Sequence, residues 1–112
     1  MKFVVNLYLG PEAAAGPGSG REEFLAVARE AGELIGGHVL ADPSVSVVVR
    51  VRAGAAEVSE GPYLRDAEPL ASQYLLDCPS LDRAVELAAL SAAGWPGGVE
   101  VWPLMDAAGM EM

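Results

Sequence analysis

Residues 71–92 read ASQYLLDCPSLDRAVELAALSA, a strand, a stop and a helix in direct succession. Ala71 to Asp77 concentrates Tyr74, Leu75 and Leu76 in a short apolar run, the composition of a core strand. Pro79 interrupts it, and Ser80 takes the N-cap position, where a hydroxyl accepts a hydrogen bond from a first-turn amide. Leu81, Ala84, Val85 and Ala88 then recur at helical spacing and are expected to form the buried stripe. Gly94-Trp95-Pro96-Gly97 breaks the helix, and Val99 to Leu104 follows as a strand. The second half of the chain is therefore strand, helix, strand.

The first half has the same order. Lys2 to Leu9 alternates and is rich in Val, Phe and Tyr, so it reads as a strand. Gly10 to Gly20 is a Gly/Pro loop, closed by a capping-box pair of Ser19 and Glu22. Phe24, Val27, Ala28 and Ala31 mark the apolar side of a helix that stops at Gly32 or Gly36, and Leu34 to Leu40 forms a short strand after it. Asp42-Pro43-Ser44 is turn chemistry. Val45 to Arg52 alternates strictly, and Ala53-Gly54 folds it onto a partner ending near Val58 and Ser59. Glu60 to Pro69, with two prolines and four charges, is irregular. Two helices that each cross between strands of one sheet define an α+β, ferredoxin-like domain with an added β-hairpin, spanning 1–105, with a flexible tail at 106–112.

Such a sheet has helices enough for one face. On the other, the alternation places Val4, Tyr8, Tyr74, Leu76, Trp102 and Leu104. An apolar surface of that size is expected to meet a partner or a ligand. A second copy offering the same face is the simplest arrangement, so a homodimer through the open sheet face is predicted.

Composition narrows the remaining classes. Seven basic against sixteen acidic residues give a net charge of −9, a field that disfavours nucleic acid and anionic membrane surfaces. No apolar stretch reaches the ~20 residues of a membrane-spanning helix, and Met1-Lys2 runs directly into strand residues, unlike a secretory signal. Cys78 is the only cysteine, so no internal disulfide can form, in keeping with a cytoplasmic location. No motif calls for a cofactor or a metal. One His and one Cys do not make a zinc site without several carboxylates.

Around the irregular segment the chain resembles a known family. Glu60-Gly61-Pro62-Tyr63, then Glu68, Leu70, Tyr74, Leu75, Leu76 and Asp77, are similar to the YCII-related family in its Asp-Gly-Pro-Phe (DGPF) branch. Ala31-Gly32, Val49-Arg50-Val51-Arg52 and the run Val99 to Met105 sit where that branch has similar segments. The resemblance implies a bacterial, dimeric α+β barrel built from ferredoxin-like protomers. Glu60 for the usual Asp, Tyr63 for Phe, Arg65 for an acid, Ser72 for Gly and Trp102 for Arg mark a divergent member. Relatives on the YCII side pair a His on the first helix with an Asp. The first helix here has no His, so that role is not carried over.

Candidate site residues follow from chemistry and position. His38 is the only histidine, the side-chain type that changes charge near neutrality, and Asp42 lies four residues on, so the two are a candidate general-base pair. A surface histidine is the plainer reading. Glu60 and Glu68 flank the Gly-Pro turn, where paired carboxylates can divide acid and base roles; solvated loop charges are the simpler alternative. Gly61-Pro62 is a rigid turn that aims Tyr63. Asn6, Tyr8, Tyr74, Glu100 and Trp102 are expected to share the open face, a mix of apolar wall and polar groups suited to a small organic ligand or to a dimer core. Arg50 is a candidate anchor for an anionic group there. Gly16-Pro17-Gly18-Ser19-Gly20 precedes a helix but lacks phosphate-loop spacing. Two functions remain: a non-catalytic, regulatory or accessory module binding a small organic ligand in the barrel pocket, or a metal-independent isomerase, lyase or hydrolase using His38 or Glu60 for proton transfer.

Overall fold

In the computed structural model, residues 1–10 and 19–105 are described. The glycine-proline loop and candidate phosphate cradle at 11–18, and the C-terminal segment 106–112, lie outside them. The order is β1 (Lys2–Tyr8), α1 (Ser19–Glu30), β2 (Leu34–Val39), a 3-10 turn (Pro43–Val45), β3 (Val47–Arg52), β4 (Ala55–Glu60), β5 (Leu70–Asp77), α2 (Leu81–Ala92) and β6 (Val99–Pro103). Strands β2-β5-β1-β6 make an antiparallel sheet in that order, while β3 and β4 form a separate two-stranded ribbon. Each helix connects strands that flank a third, β1 to β2 around β5 and β5 to β6 around β1, which is the ferredoxin-like α+β arrangement.

The helices end where their chemistry dictates. Ser80 Oγ accepts from the Arg83 amide at 3.2 Å and caps α2. Gly32, at φ +72°, turns the chain out of α1 in the left-handed conformation that a side chain disfavours. The next residue, Glu33, is buried, and its carboxylate is held by the forked guanidinium of Arg83 at 2.8 and 3.0 Å, pinning the start of β2 to α2.

Both helices cover one face of the sheet. Phe3, Val5, Leu7, Phe24, Ala28, Tyr74, Leu76, Cys78, Ala84, Leu87 and Ala88 form the core. Two expectations change here. The buried stripe of α2 is Ala84, Leu87, Ala88 and Ser91, while Leu81 and Val85 stay about half exposed. More consequentially, β5 has the opposite phase from that expected. Tyr74 pairs with Val5 and Leu76 with Phe3, so both point to the helices, and Gln73 and Leu75 take the open face. Tyr74 meets the Phe24 ring edge-on at a centroid distance of 5.3 Å, and its hydroxyl accepts from Arg21 Nε at 2.8 Å.

The β3–β4 ribbon turns through Ala53 and Gly54, both with positive φ, as a two-residue hairpin loop requires. Its pairing aligns Val49 with Val58 and Val51 with Ala56 on one side, and these valines are exposed. Val45 belongs to the preceding turn and not to β3, because the Asp42 carboxylate caps that turn through the Ser44 amide. No helix among the described residues is long and apolar enough to cross a membrane.

Candidate ligand-binding site

The register of the four strands sets one transverse row on the open face. His38 of β2 lies opposite Gln73 of β5, Gln73 opposite Asn6 of β1, and Asn6 opposite Glu100 of β6. Neighbouring strands stand about 4.8 Å apart, close enough for side chains in one row to bond across them. Gln73 Nε2 donates to Asn6 Oδ1 at 2.8 Å, and Asn6 Nδ2 donates to Glu100 Oε1 at 3.0 Å. Tyr8, one step along β1 on the same face, donates its hydroxyl to the same Glu100 oxygen at 2.9 Å. Oε2 of Glu100 has no protein donor among the described residues. The adjacent row is apolar: Gly36, Leu75, Val4 and Trp102 stand in register.

These bonds set the electrostatics of the row. The Asn6 amide, and after it the Tyr8 hydroxyl, hold the Glu100 carboxyl below its usual range. Burial, reinforced by Glu100, pushes the Tyr8 phenol up, so Tyr8 stays a neutral donor. Asn6 is only 4 % exposed although it lies on the bare face. Its amide satisfies a donor and an acceptor at once, which is what allows it to be buried there.

Tyr8 links this row to a cleft of about 570 Å³ at the end of the sheet. It is lined by Tyr8 and Leu70 of the sheet, by Leu40 just after β2, by Asp42, Pro43, Val45 and Ser46, and by Pro62, Tyr63 and Glu68. The Gly61 amide donates to the Ser46 carbonyl at 2.8 Å, closing the Gly-Pro turn against the base of the hairpin. Gly61 has φ +94°, so the turn needs a residue without a side chain at that point. Tyr63 is exposed, and the Arg50 guanidinium stands 5.0 Å from its ring centroid in cation–π geometry. Asp42 is held below the usual carboxylate range by the Ser44 backbone N–H.

The structure thus gathers most of the residues the sequence singled out, and redistributes the rest. Asn6, Tyr8 and Glu100 are bonded together, Trp102 flanks them, and Tyr8, Tyr63 and Glu68 line one cleft with Arg50 at its edge. Tyr74 is not part of this face: it is 4 % exposed and belongs to the core. His38 makes no ion pair with Asp42, whose carboxylate is committed to its own turn. Glu60 ends β4 opposite Val47, and its carbonyl accepts from Arg65, while its side chain is not among the groups lining the cleft. Gln73, central to the row, is not among the residues that the sequence singles out. It follows Ser72 in β5, ahead of the apolar run Tyr74 to Leu76, and no local pattern sets it apart.

The protein is thus defined as a two-layer α+β domain of ferredoxin-like topology, carrying a polar row and a cleft on its uncovered sheet face. The chain belongs to the YCII-related family, whose domain model matches residues 1–108. No curated protein matches it.

Proposed function

We propose that the protein is a homodimeric, non-catalytic module of the DGPF branch that binds a small organic ligand between the open sheet face and the Gly-Pro turn. The observation that carries this reading is the row Gln73–Asn6–Glu100, with Tyr8 bonded to its end, set beside Val4, Leu75 and Trp102. A face meant only to pair with a twin gains little from a buried amide and a carboxylate with a free oxygen. Polar groups that converge on an apolar wall orient a ligand. The ligand's ring or chain lies along Trp102 and Leu75, and its donor group meets Glu100 Oε2. Pairing of two open faces closes the cavity and removes Trp102 and Leu104 from water. Branch membership rests on Gly61-Pro62-Tyr63, whose turn forms the cleft wall. A regulatory or accessory role suits a site whose histidine forms no ion pair among the described residues.

The test uses benzyl alcohol, benzamide and benzylamine as probes, each an apolar ring with a hydrogen-bond donor. Tryptophan emission, to which Trp95 and Trp102 both contribute, is expected to change saturably with at least one and not in Trp102→Phe, with thermal stabilisation that follows the ratio of probe to its dissociation constant. Glu100→Leu abolishes the effect. Probes that leave emission and melting unchanged, or that act equally on Glu100→Leu, contradict the reading.

A further inference from the structure

A second concavity lies away from the cleft, along the outer edge of the sheet. It is a groove of about 430 Å³ between α1 and β2. One wall is the stripe Arg21, Leu25 and Arg29, whose i, i+4, i+8 spacing stacks them on one side of α1. The opposite wall is β2 from Leu34 to Val39, with His38 at the rim, and the Tyr74 ring forms part of the lining. Strand β2 is at the edge of the sheet.

The charge of this groove runs against that of the molecule. The chain carries sixteen acidic groups against seven basic ones, yet two of its arginines and its single histidine line the groove and no carboxylate does. Glu22 and Glu30 neighbour Arg21 and Arg29 along the helix but form no ion pair with them. Arg21 is also oriented: its Nε is tied to the Tyr74 hydroxyl at 2.8 Å, leaving both terminal nitrogens without a protein acceptor among the described residues. It lies in the first turn of α1, where the helix dipole adds positive potential. Tyr74 reaches Arg21 because Gly37 has no side chain: a Cβ there would fall 2.8 Å from Tyr74 Cε1.

We propose that this groove binds a small organic anion, a carboxylate or phosphate monoester, on the guanidinium forks of Arg21 and Arg29, with its apolar body against Leu25 and Ile35. An arginine whose Nε is already bonded presents its terminal nitrogens as a preset fork, the geometry that matches planar carboxylate and phosphate oxygens. In a molecule that repels anions elsewhere, an acid-free groove with one preset fork and a second guanidinium selects them. The groove shares His38 at its rim with the Glu100 row, but its two arginines lie outside that row and do not depend on it.

Because the chain has a single histidine, the His38 ring proton is an unambiguous NMR reporter at the rim. Benzoate and phenyl phosphate, with neutral benzamide as control, are titrated into the full chain and into Glu100→Leu, in which the open-face row, where His38 also stands, no longer takes a neutral donor. A saturable shift with benzoate alone assigns a carboxylate ligand, and one with phenyl phosphate alone a phosphate. Arg29→Gln, on the exposed end of the helix, is expected to weaken binding about five- to tenfold. Arg21→Lys keeps the charge but loses the fork and weakens it comparably, while Glu100→Leu leaves it unchanged. The proposal is overturned by silence from both anions up to about 20 mM, a range that captures weak fragment binding. Equal shifts from benzamide in Glu100→Leu, or undiminished binding to both arginine variants, overturn it as well.

Discussion

Replacing Gly37 by alanine tests the packing that joins β2, Tyr74 and α1. A Cβ at position 37 would meet the Tyr74 ring edge, with Cε1 at 2.8 Å and the Gln73 carbonyl oxygen at 2.9 Å. The ring cannot yield freely, since Phe24 packs against it at 5.3 Å and Arg21 holds its hydroxyl at 2.8 Å. Overpacking of this kind costs about 1–3 kcal/mol. Moving the ring also loosens the Arg21 bond, worth roughly 1 kcal/mol at a half-exposed site. The lower chain entropy of alanine in the unfolded state returns about 0.4–1 kcal/mol. The net loss is about 2 kcal/mol, which for a chain of this length lowers the melting temperature by about 8 °C. Gly36→Ala is the internal control: a Cβ there meets nothing within 4 Å, and its φ is not positive. That variant should melt unchanged or slightly higher. Calorimetry at one protein concentration reads both. Equal effects of the two substitutions, or a Gly37→Ala loss below about 0.5 kcal/mol, would refute the wedge of Tyr74 against this strand.

Tyr8→Phe should raise the titration midpoint of Glu100, followed by carboxyl-carbon NMR, because it removes one of the two donors that hold the carboxylate down. The folded pKa of Glu100 lies below its unfolded value, so its bonds to Asn6 and Tyr8 stabilise the fold above the unfolded value and are lost as pH falls through the folded one. An unmoved midpoint contradicts the Tyr8 contact. Ser80→Ala should cost about 1 kcal/mol and about 4 °C of melting temperature by removing the cap of α2; wild-type melting would show that the Arg83 amide finds another acceptor.

Local chemistry was legible wherever a single residue type decides the backbone. Ser80 as a cap and Ala53-Gly54 as a hairpin turn follow from one or two side chains and appear as expected, and of the two glycines offered as the stop of α1 the structure uses Gly32. So does the order of strands and helices, since each apolar run is bounded by Gly, Pro or a cap. The phase of β5 was not legible, because Tyr74, Leu75 and Leu76 are all apolar and alternation cannot say which side is which. Pairing with β1 decides it, Val5 opposite Tyr74, and that information lies nearly seventy residues away. The α2 stripe shifted for a related reason: in an Ala-rich helix the angular signal is weak, and Leu87 and Ser91 sit as close to helical phase as Leu81 and Val85. Half of the polar row could be read from the alternation of β1 and β6, whose faces were assigned correctly. The arginine groove needed the placement of α1 beside β2, which no local pattern supplies.

The proposed pairing of two protomers rests on the uncovered apolar surface beside the polar row. Trp102, 59 % exposed, stands on the edge strand β6 opposite Val4. Sedimentation velocity at micromolar concentration on the wild-type chain and on Trp102→Glu decides the matter. The wild type should sediment at twice the 11.6 kDa of the chain and Trp102→Glu as a single chain. A wild-type protein at 11.6 kDa, or a Trp102→Glu variant that stays paired, would contradict it.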